Sequence, residues 1–163
     1  MIVSDVNVSA AAVYTTNLVK GAPIFVNQKH LADGHAQAII CNSGIANTCN
    51  ADGIEKAEAM GRLVEDALGI NKDDVIVGST GVIGMPLNLT PIANGMAELV
   101  AGLDYDNSSL AAEGIMTTDT KKKEIAVSFN IDGVECRIGG IAKGSGMNTD
   151  PILRIPISRP SRR

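Results

Sequence analysis

The sequence predicts a single layered α/β domain, α+β in the order of its elements, with a mixed sheet and flanking helices. Three observations indicate this class. Short β-type runs and stretches of helical periodicity alternate through the first hundred residues. Two strand-like runs, residues 124–131 and 134–141, flank Asp132-Gly133, which is a strong hairpin signal. The chain has 163 residues, 45% of them apolar, which is enough for one core, and because aromatic residues are scarce that core should be aliphatic.

Strands are predicted first over residues 10–16, 24–27 and 35–41, where apolar and β-branched residues cluster. The third of these runs into a polar turn, residues 42–44. A further short buried strand, Val75-Ile76-Val77, is followed by a glycine-rich stretch that we expect to be a turn.

Three helices are predicted from their start and stop signals. The clearest begins after Asp52, which has a glutamate three residues later as in a capping box, and it ends at Gly69. The second begins at Thr90, with Pro91 in the first helical position. The third is short and lies within residues 107–116.

The chain is expected to divide near its C-terminus. Residues 1–147 read as the domain, whereas residues 148–163 read as an unrelated basic tail that should be disordered. The last ten residues contain four arginines and no acid.

Composition excludes several classes of function. A net charge of −4 and an aromatic content of 2% argue against nucleic-acid binding, and no apolar run is long enough to span a bilayer. Three cysteines without zinc-site spacing indicate reduced thiols and a cytoplasmic location. His30 and His35 have no second ligand at metal spacing, so we predict no metal site and place both at the surface or at strand entries.

Four stretches rich in small and polar residues are candidate sites, and each also has a structural interpretation. Thr80 lies in the stretch after Val77, where backbone amides could face developing negative charge. Residues 117–120 offer hydroxyls and a carboxylate, or a local turn. Lys143 stands beside glycines, where it could bind an anion such as a carboxylate or phosphate, or could be a solvated surface charge. Residues 42–47 form a turn that binds a substrate or only shapes the backbone.

Five short motifs stand out when the candidate stretches are taken together with one earlier in the chain: Thr15-Thr16-Asn17, Asn42-Ser43-Gly44, Ser79-Thr80-Gly81-Val82-Ile83-Gly84, Ile115-Met116-Thr117-Thr118-Asp119-Thr120 and Ala142-Lys143-Gly144-Ser145-Gly146-Met147. Together they resemble, over residues 1–147, the N-terminal, alpha-chain region of the ornithine acetyltransferase (glutamate N-acetyltransferase) family of arginine biosynthesis. Each motif is weak alone, but five in the same order are specific.

The resemblance implies an acyltransferase made as a self-cleaving precursor. The N-terminal threonine of a beta chain would take acetyl from N-acetylornithine and pass it to glutamate. Thr80 and Gly81 match the oxyanion hole, and Thr117 and Lys143 match substrate-binding residues. No cofactor is implied, although acetyl-CoA is also compatible as the donor. The implied partner is the beta chain, in a hetero-oligomer.

The sequence departs from the family after Met147. The family continues through a Pro-Asn-Met-Ala-Thr run whose threonine is the nucleophile, but here that run is absent and Arg154 stands at its position. Ile45 replaces a usual asparagine, and a glycine-rich leader is missing, so a preceding segment is expected. The chain alone is therefore expected to be inactive. A binding module or inactive fragment of the same fold, or a related N-terminal-nucleophile hydrolase, are the alternatives.

Overall fold

The computed structural model describes residues 1–144, and the protein has the mixed α/β architecture that the sequence predicts. The described residues divide into two compact units, Met1–Asn107 and the part that begins at Ser108. The predicted tail, residues 148–163, and the end of the predicted domain lie outside the described residues. No helix among residues 1–144 is both long enough and apolar enough to cross a membrane.

The elements follow the chain in a simple order. Two short 3-10 turns accompany them, Leu31–Asp33 before the second strand and Lys72–Asp74 before the third. The first unit contains β1 (Ile2–Ser9), α1 (Ala22–His30), β2 (His35–Ile45), α2 (Gly53–Leu68), β3 (Val75–Val82) and α3 (Thr90–Ala101), and the second contains α4 (Ser108–Gly114), β4 (Lys123–Ile131) and β5 (Val134–Ala142).

The sheet of the first unit is mixed, as predicted, in the order β1-β2-β3. Strand β1 pairs antiparallel with β2, and β2 pairs parallel with β3 in one unbroken register from Ala38 opposite Val75 to Ile45 opposite Val82. Both parallel strands are longer than expected. The two polar stretches that follow Cys41 and Val77, predicted as turns, are paired strand instead, because each supplies the other's ladder partner.

One predicted strand is wrong. Residues 24–27 lie in helix α1, which has Pro23 in its first turn, and Val26 is buried against the sheet. Proline is well suited to a helix start, and packing of a helix on the sheet outweighs the strand preference of the β-branched residues. Residues 10–16, also predicted as a strand, have no regular structure; the first strand is β1, which lies before them.

The core of the first unit is aliphatic, as the composition predicts. Helix α2 covers the sheet and runs from Gly53 to Leu68, with Gly69 closing it in the left-handed conformation. Asp52 precedes it as expected, but its side chain makes no capping hydrogen bond. The largest fully buried side chains include Ile40, Met60, Val64, Val75 and Val77.

The second unit is built on the predicted hairpin. Strands β4 and β5 pair antiparallel from Lys123 opposite Ala142 to Ile131 opposite Val134. Asp132 and Gly133 form the turn with φ angles of +50° and +82°, as a two-residue type I′ turn requires. One face of the hairpin is apolar and exposed, and it presents Ile125, Val127, Phe129, Ile131, Val134 and Ile138.

Asn27 fastens helix α1 to the outer edge of strand β3. Its Nδ2 donates to the Val77 carbonyl at 2.8 Å, and its Oδ1 accepts from the Val77 amide at 2.9 Å. The buried Asn27 amide therefore makes the two hydrogen bonds to Val77 that a residue of a neighbouring strand would otherwise make at this edge. Without it, two buried backbone groups of β3 would lack a partner.

We predict that Asn27→Leu lowers the free energy of unfolding by about 2–4 kcal/mol, because it leaves a buried N–H and a buried C=O unsatisfied. Chemical denaturation monitored by circular dichroism measures this change. Asn94→Leu, on the exposed side of α3, is the matched control and should shift stability by no more than about 0.5 kcal/mol. Equal stability of the two variants would contradict the role assigned to Asn27.

Candidate functional site

The carboxyl ends of β2 and β3 bring two polar, glycine-containing stretches side by side. Ser43 lies opposite Thr80, and Gly44 lies opposite Gly81. Both glycines have positive φ angles, +127° and +131°. A Cβ on Gly81 would lie 2.1 Å from the Gly44 carbonyl oxygen, so the two backbones approach more closely than any side chain allows.

The alternation of strand β3 assigns each backbone group to one edge of the strand. The Val77 amide and carbonyl face α1, whereas the Val82 carbonyl accepts from the Ala46 amide on the β2 side. Residues an even number of positions from Val77 along β3, including Gly81, therefore direct their N–H away from β2. Thr80 directs its own amide towards β2, so the group it offers at this place is its half-buried hydroxyl.

Asn42 and Cys41 line the same strand end. Asn42 Nδ2 donates to the Ile45 carbonyl at 2.9 Å, while its buried Oδ1 has no hydrogen-bond partner among the described residues. Burial raises the pKa of the Cys41 thiol to about 11, so this cysteine stays protonated at neutral pH and is a poor nucleophile. Cys41 Sγ also fills the space beside Gly78, where a Cβ would lie 2.8 Å from the sulfur.

In the second unit, Asp119 organises the other two predicted site residues. Its carboxylate accepts hydrogen bonds from the Thr117 and Gly144 amides and forms an ion pair with Lys123. The hydrogen bond from Lys123, first, and those from the two amides hold the pKa of Asp119 down at about 2, against the opposing effect of desolvation. The carboxylate is therefore ionised throughout the neutral range and ties residue 117 to residue 144.

Lys143 is half-buried at the end of β5, and its Nζ donates to the Gly144 carbonyl at 2.9 Å. Thr117 is exposed. The structure thus groups the four predicted residues in pairs. Thr80 and Gly81 lie together in the first unit, and Thr117 and Lys143 are joined through Asp119 in the second.

Two residues of the first unit were misjudged from the sequence. His30 was expected at the surface, but only 4% of it is exposed, and its Nε2 faces Glu58 and Asp73. Asn27 was hidden by the incorrect strand over residues 24–27. A helical interpretation of that stretch would have exposed the signal, since positions 27 and 30 then share one helix face with the buried Val26 nearby.

The sequence is similar to known proteins along most of its length. A sequence model of the ArgJ family matches residues 1–152. The arginine biosynthesis bifunctional protein ArgJ of Desulfotalea psychrophila is 45% identical over 148 residues, which is 90% of this chain and 38% of that protein. The glutamate N-acetyltransferase of Methanocaldococcus jannaschii is 42% identical over 149 residues, 90% of this chain and 37% of that protein. The chain therefore spans well under half the length of these relatives.

Two crystal structures share the fold. The arginine biosynthesis bifunctional protein ArgJ of Bacillus halodurans superposes with a TM-score of 0.83 at 37% identity, covering 93% of this chain and 80% of that chain. The ornithine acetyltransferase of Mycobacterium tuberculosis, crystallised with ornithine, has a TM-score of 0.80 at 34% identity and covers 89% and 78%.

We predict that Gly81→Ala lowers the free energy of unfolding by about 2–4 kcal/mol, since alanine meets both an unfavourable φ and the Gly44 backbone. Denaturant titration measures the loss. The control variant is expected to change stability in the opposite direction. Gly95 lies in α3, and no atom stands within 4 Å of where its Cβ would lie. Gly95→Ala should therefore stabilise the chain by about 0.5–1 kcal/mol. A Gly81→Ala variant as stable as the parent chain would show that the two strand ends do not pack this closely.

Proposed function

This chain belongs to the ArgJ family, and on that basis we propose that it is the alpha-chain part of a self-cleaving glutamate N-acetyltransferase of arginine biosynthesis. Its partner is a beta chain that carries the N-terminal threonine nucleophile, in a cytoplasmic hetero-oligomer. The observation that carries the proposal is the rigid pairing of Gly44 with Gly81, which holds Thr80 and Gly81 as donors to an oxyanion.

The proposed reaction is acetyl transfer in two halves. The threonine hydroxyl of the beta chain attacks the acetyl carbon of N-acetylornithine, while the α-amine of that threonine accepts the hydroxyl proton. The tetrahedral intermediate carries its negative charge on the former carbonyl oxygen. When it collapses, the C–N bond breaks, the leaving nitrogen takes the proton held by the threonine amine, and ornithine leaves. The glutamate amine then attacks the acetyl-threonine ester. The ester C–O bond breaks, a proton from the glutamate amine returns to the hydroxyl through the threonine amine, and N-acetylglutamate leaves. Threonine itself carries the acetyl group, so the reaction needs no resident cofactor.

In this proposal, the residues of the chain bind the substrate and stabilise the oxyanion. The Gly81 amide, directed away from β2, and the Thr80 hydroxyl would donate to the oxyanion. Donors fixed before the reaction give more stabilisation than donors that must reorganise. Lys143 would pair with a substrate carboxylate, and Thr117 would hydrogen-bond the substrate. Asp119 would keep both in place through the 117 and 144 amides.

The lengths of the relatives support a divided enzyme. This chain covers 80% of the crystallised Bacillus chain but only 38% of the Desulfotalea sequence. A crystallised chain roughly half as long as a full sequence is what cleavage into two chains would produce. The exposed apolar face of the β4–β5 hairpin also supports a partner, because an isolated soluble protein rarely presents such a contiguous surface.

The departure after Met147 favours a second candidate, an inactive fragment or binding module. Arg154 cannot act as the nucleophile, and Thr149 stands between Asn148 and Asp150 rather than at the end of the family's run. A beta chain supplied separately would restore the first proposal. Both N-acetylornithine and acetyl-CoA remain candidate donors, which parallel assays with each compound would separate.

We predict that, in a complex of this chain with a beta chain, Thr80→Ala lowers kcat by about 10²–10³, as loss of one oxyanion donor does. Lys143→Ala should mainly raise KM, because it removes binding present in both the ground and the transition state. Steady-state kinetics of ornithine release measure both. Thr90→Ala and Lys121→Ala, both at exposed positions, are the matched controls.

Two results would contradict these roles. The assignment fails if Thr80→Ala changes KM alone, or if Lys143→Ala leaves KM unaltered. Size-exclusion chromatography of each variant complex shows that a change in rate does not come from loss of assembly.

A further inference from the structure

His30 is a buried residue at the C-terminal end of α1, with none of its side chain exposed. Its Nδ1 lies 2.9 Å from the Val75 carbonyl oxygen, at the start of β3. A carbonyl oxygen only accepts hydrogen bonds, so Nδ1 must carry the ring proton. This contact fixes the orientation of the ring and directs Nε2 away from the sheet.

Nε2 faces two carboxylates but makes no hydrogen bond among the described residues. Asp73 Oδ1 lies 3.3 Å from it and Glu58 Oε2 lies 3.7 Å from it. If the ring is neutral, the Nε2 lone pair is directed at two oxygens that also carry lone pairs. Either a second ring proton or a cation between these atoms makes the arrangement favourable.

We propose that His30, Glu58 and Asp73 form a binding site for a divalent transition-metal ion of the zinc class. The three ligand atoms lie within 4.8 Å of one another. Zinc bonds of about 2.0–2.2 Å in tetrahedral geometry place neighbouring ligand atoms about 3.3–3.5 Å apart, close to the spacing around Nε2. One imidazole with two carboxylates suits this class of ion.

The surroundings of the cluster also match a metal site. Metal-binding histidines usually donate their other ring N–H to a carbonyl or carboxylate, as His30 does to Val75. The Asp73 side chain is 52% exposed, which leaves a path from solvent to the cluster. Bound metal would join α1, α2 and the 3-10 turn Lys72–Asp74.

Two lysines form ion pairs with these carboxylates and therefore affect how tightly a metal ion can bind. Lys29 Nζ lies 3.1 Å from Glu58 Oε1, and Lys72 Nζ lies 2.6 Å from Asp73 Oδ1 and 3.4 Å from Glu58 Oε2. Lys72 thus contacts the same two carboxylate oxygens that face His30 Nε2. Lys72 must swing towards solvent when the ion enters, so it competes with the metal.

The site is separate from the proposed catalytic residues. His30 contacts Val75 at the beginning of β3, whereas Thr80 and Gly81 lie at its other end. Metal binding is therefore expected to stabilise the first unit, and its test does not depend on turnover or on a beta chain.

The test is calorimetric titration of zinc sulfate into the full chain after EDTA treatment and dialysis. We expect one Zn²⁺ per chain and a higher Tm with bound metal. In His30→Gln the affinity for Zn²⁺ should fall by at least about 100-fold. Loss of a residue that only orients a metal ligand costs up to about 100-fold, and loss of a ligand itself should cost at least as much. His35→Gln changes the only other histidine, which is exposed, and should bind as the parent does.

Further variants keep the test decisive if His30→Gln folds poorly. Asp73→Asn, at a half-exposed position, should weaken binding in a chain whose circular dichroism is unchanged. Lys72→Met should strengthen binding by at least about tenfold, because it removes the competing ammonium. A purely structural role for the cluster would not produce a gain of metal affinity.

Titration with Co²⁺ tests the ligand type, since thiolate ligands give an intense charge-transfer band and imidazole with carboxylates does not. The proposal is overturned if the parent chain binds Zn²⁺ no better than His30→Gln. It is equally overturned if binding disappears when the cysteines are blocked with N-ethylmaleimide. Either result would leave the cluster as an ion-pair network of Glu58 and Asp73 with Lys29 and Lys72.

Discussion

The parallel register between β2 and β3 is the constraint on which the first unit depends. It sets Gly44 against Gly81 at a distance that admits no Cβ, and both residues adopt φ angles that favour glycine. Strand β3 is the outer strand of its sheet, so its other edge also needs partners. Helix α1 supplies them for Val75 and Val77, through His30 and Asn27. The far end of the same edge, at Gly81, is where the proposed chemistry lies.

In the proposed function, the two units of the chain have different roles. The first unit would contribute backbone and hydroxyl donors held by a strand pair, and the second would contribute a loop fastened by the ionised Asp119. Neither unit offers an activated nucleophile at the predicted residues, and Cys41 is held as a neutral thiol by burial. In the proposed function, such a chain would bind substrate and stabilise charge, and the nucleophile would come from a second chain. The apolar face of the hairpin, exposed among residues 1–144, is consistent with such a partner.

The sequence predicted correctly those elements that are set by interactions among neighbouring residues. The Asp132-Gly133 hairpin, helix α2 with Gly69, and helix α3 with Pro91 are all present because turn and cap chemistry is local. Helix α1 was missed, since a β-branched run beside Pro23 adopts the helix only when it packs on the sheet. His30 was misplaced for the same reason: its partners Glu58 and Asp73 are distant in sequence, and only the fold brings them together. Thr80 and Gly81 were singled out by their motif, but their strand conformation was not predicted because it depends on pairing with β2.

In the proposed function, this chain supplies the binding and oxyanion-stabilising half of an ArgJ-type acetyltransferase and needs a threonine from a second chain. The most direct measurement is ornithine release from N-acetylornithine and glutamate, by the purified chain alone and by the chain co-expressed with a beta chain whose N-terminal residue is the proposed threonine nucleophile. We expect no release by the chain alone and sustained release by the pair. Sustained turnover by the chain alone, or an assembled pair without activity, would contradict the claim.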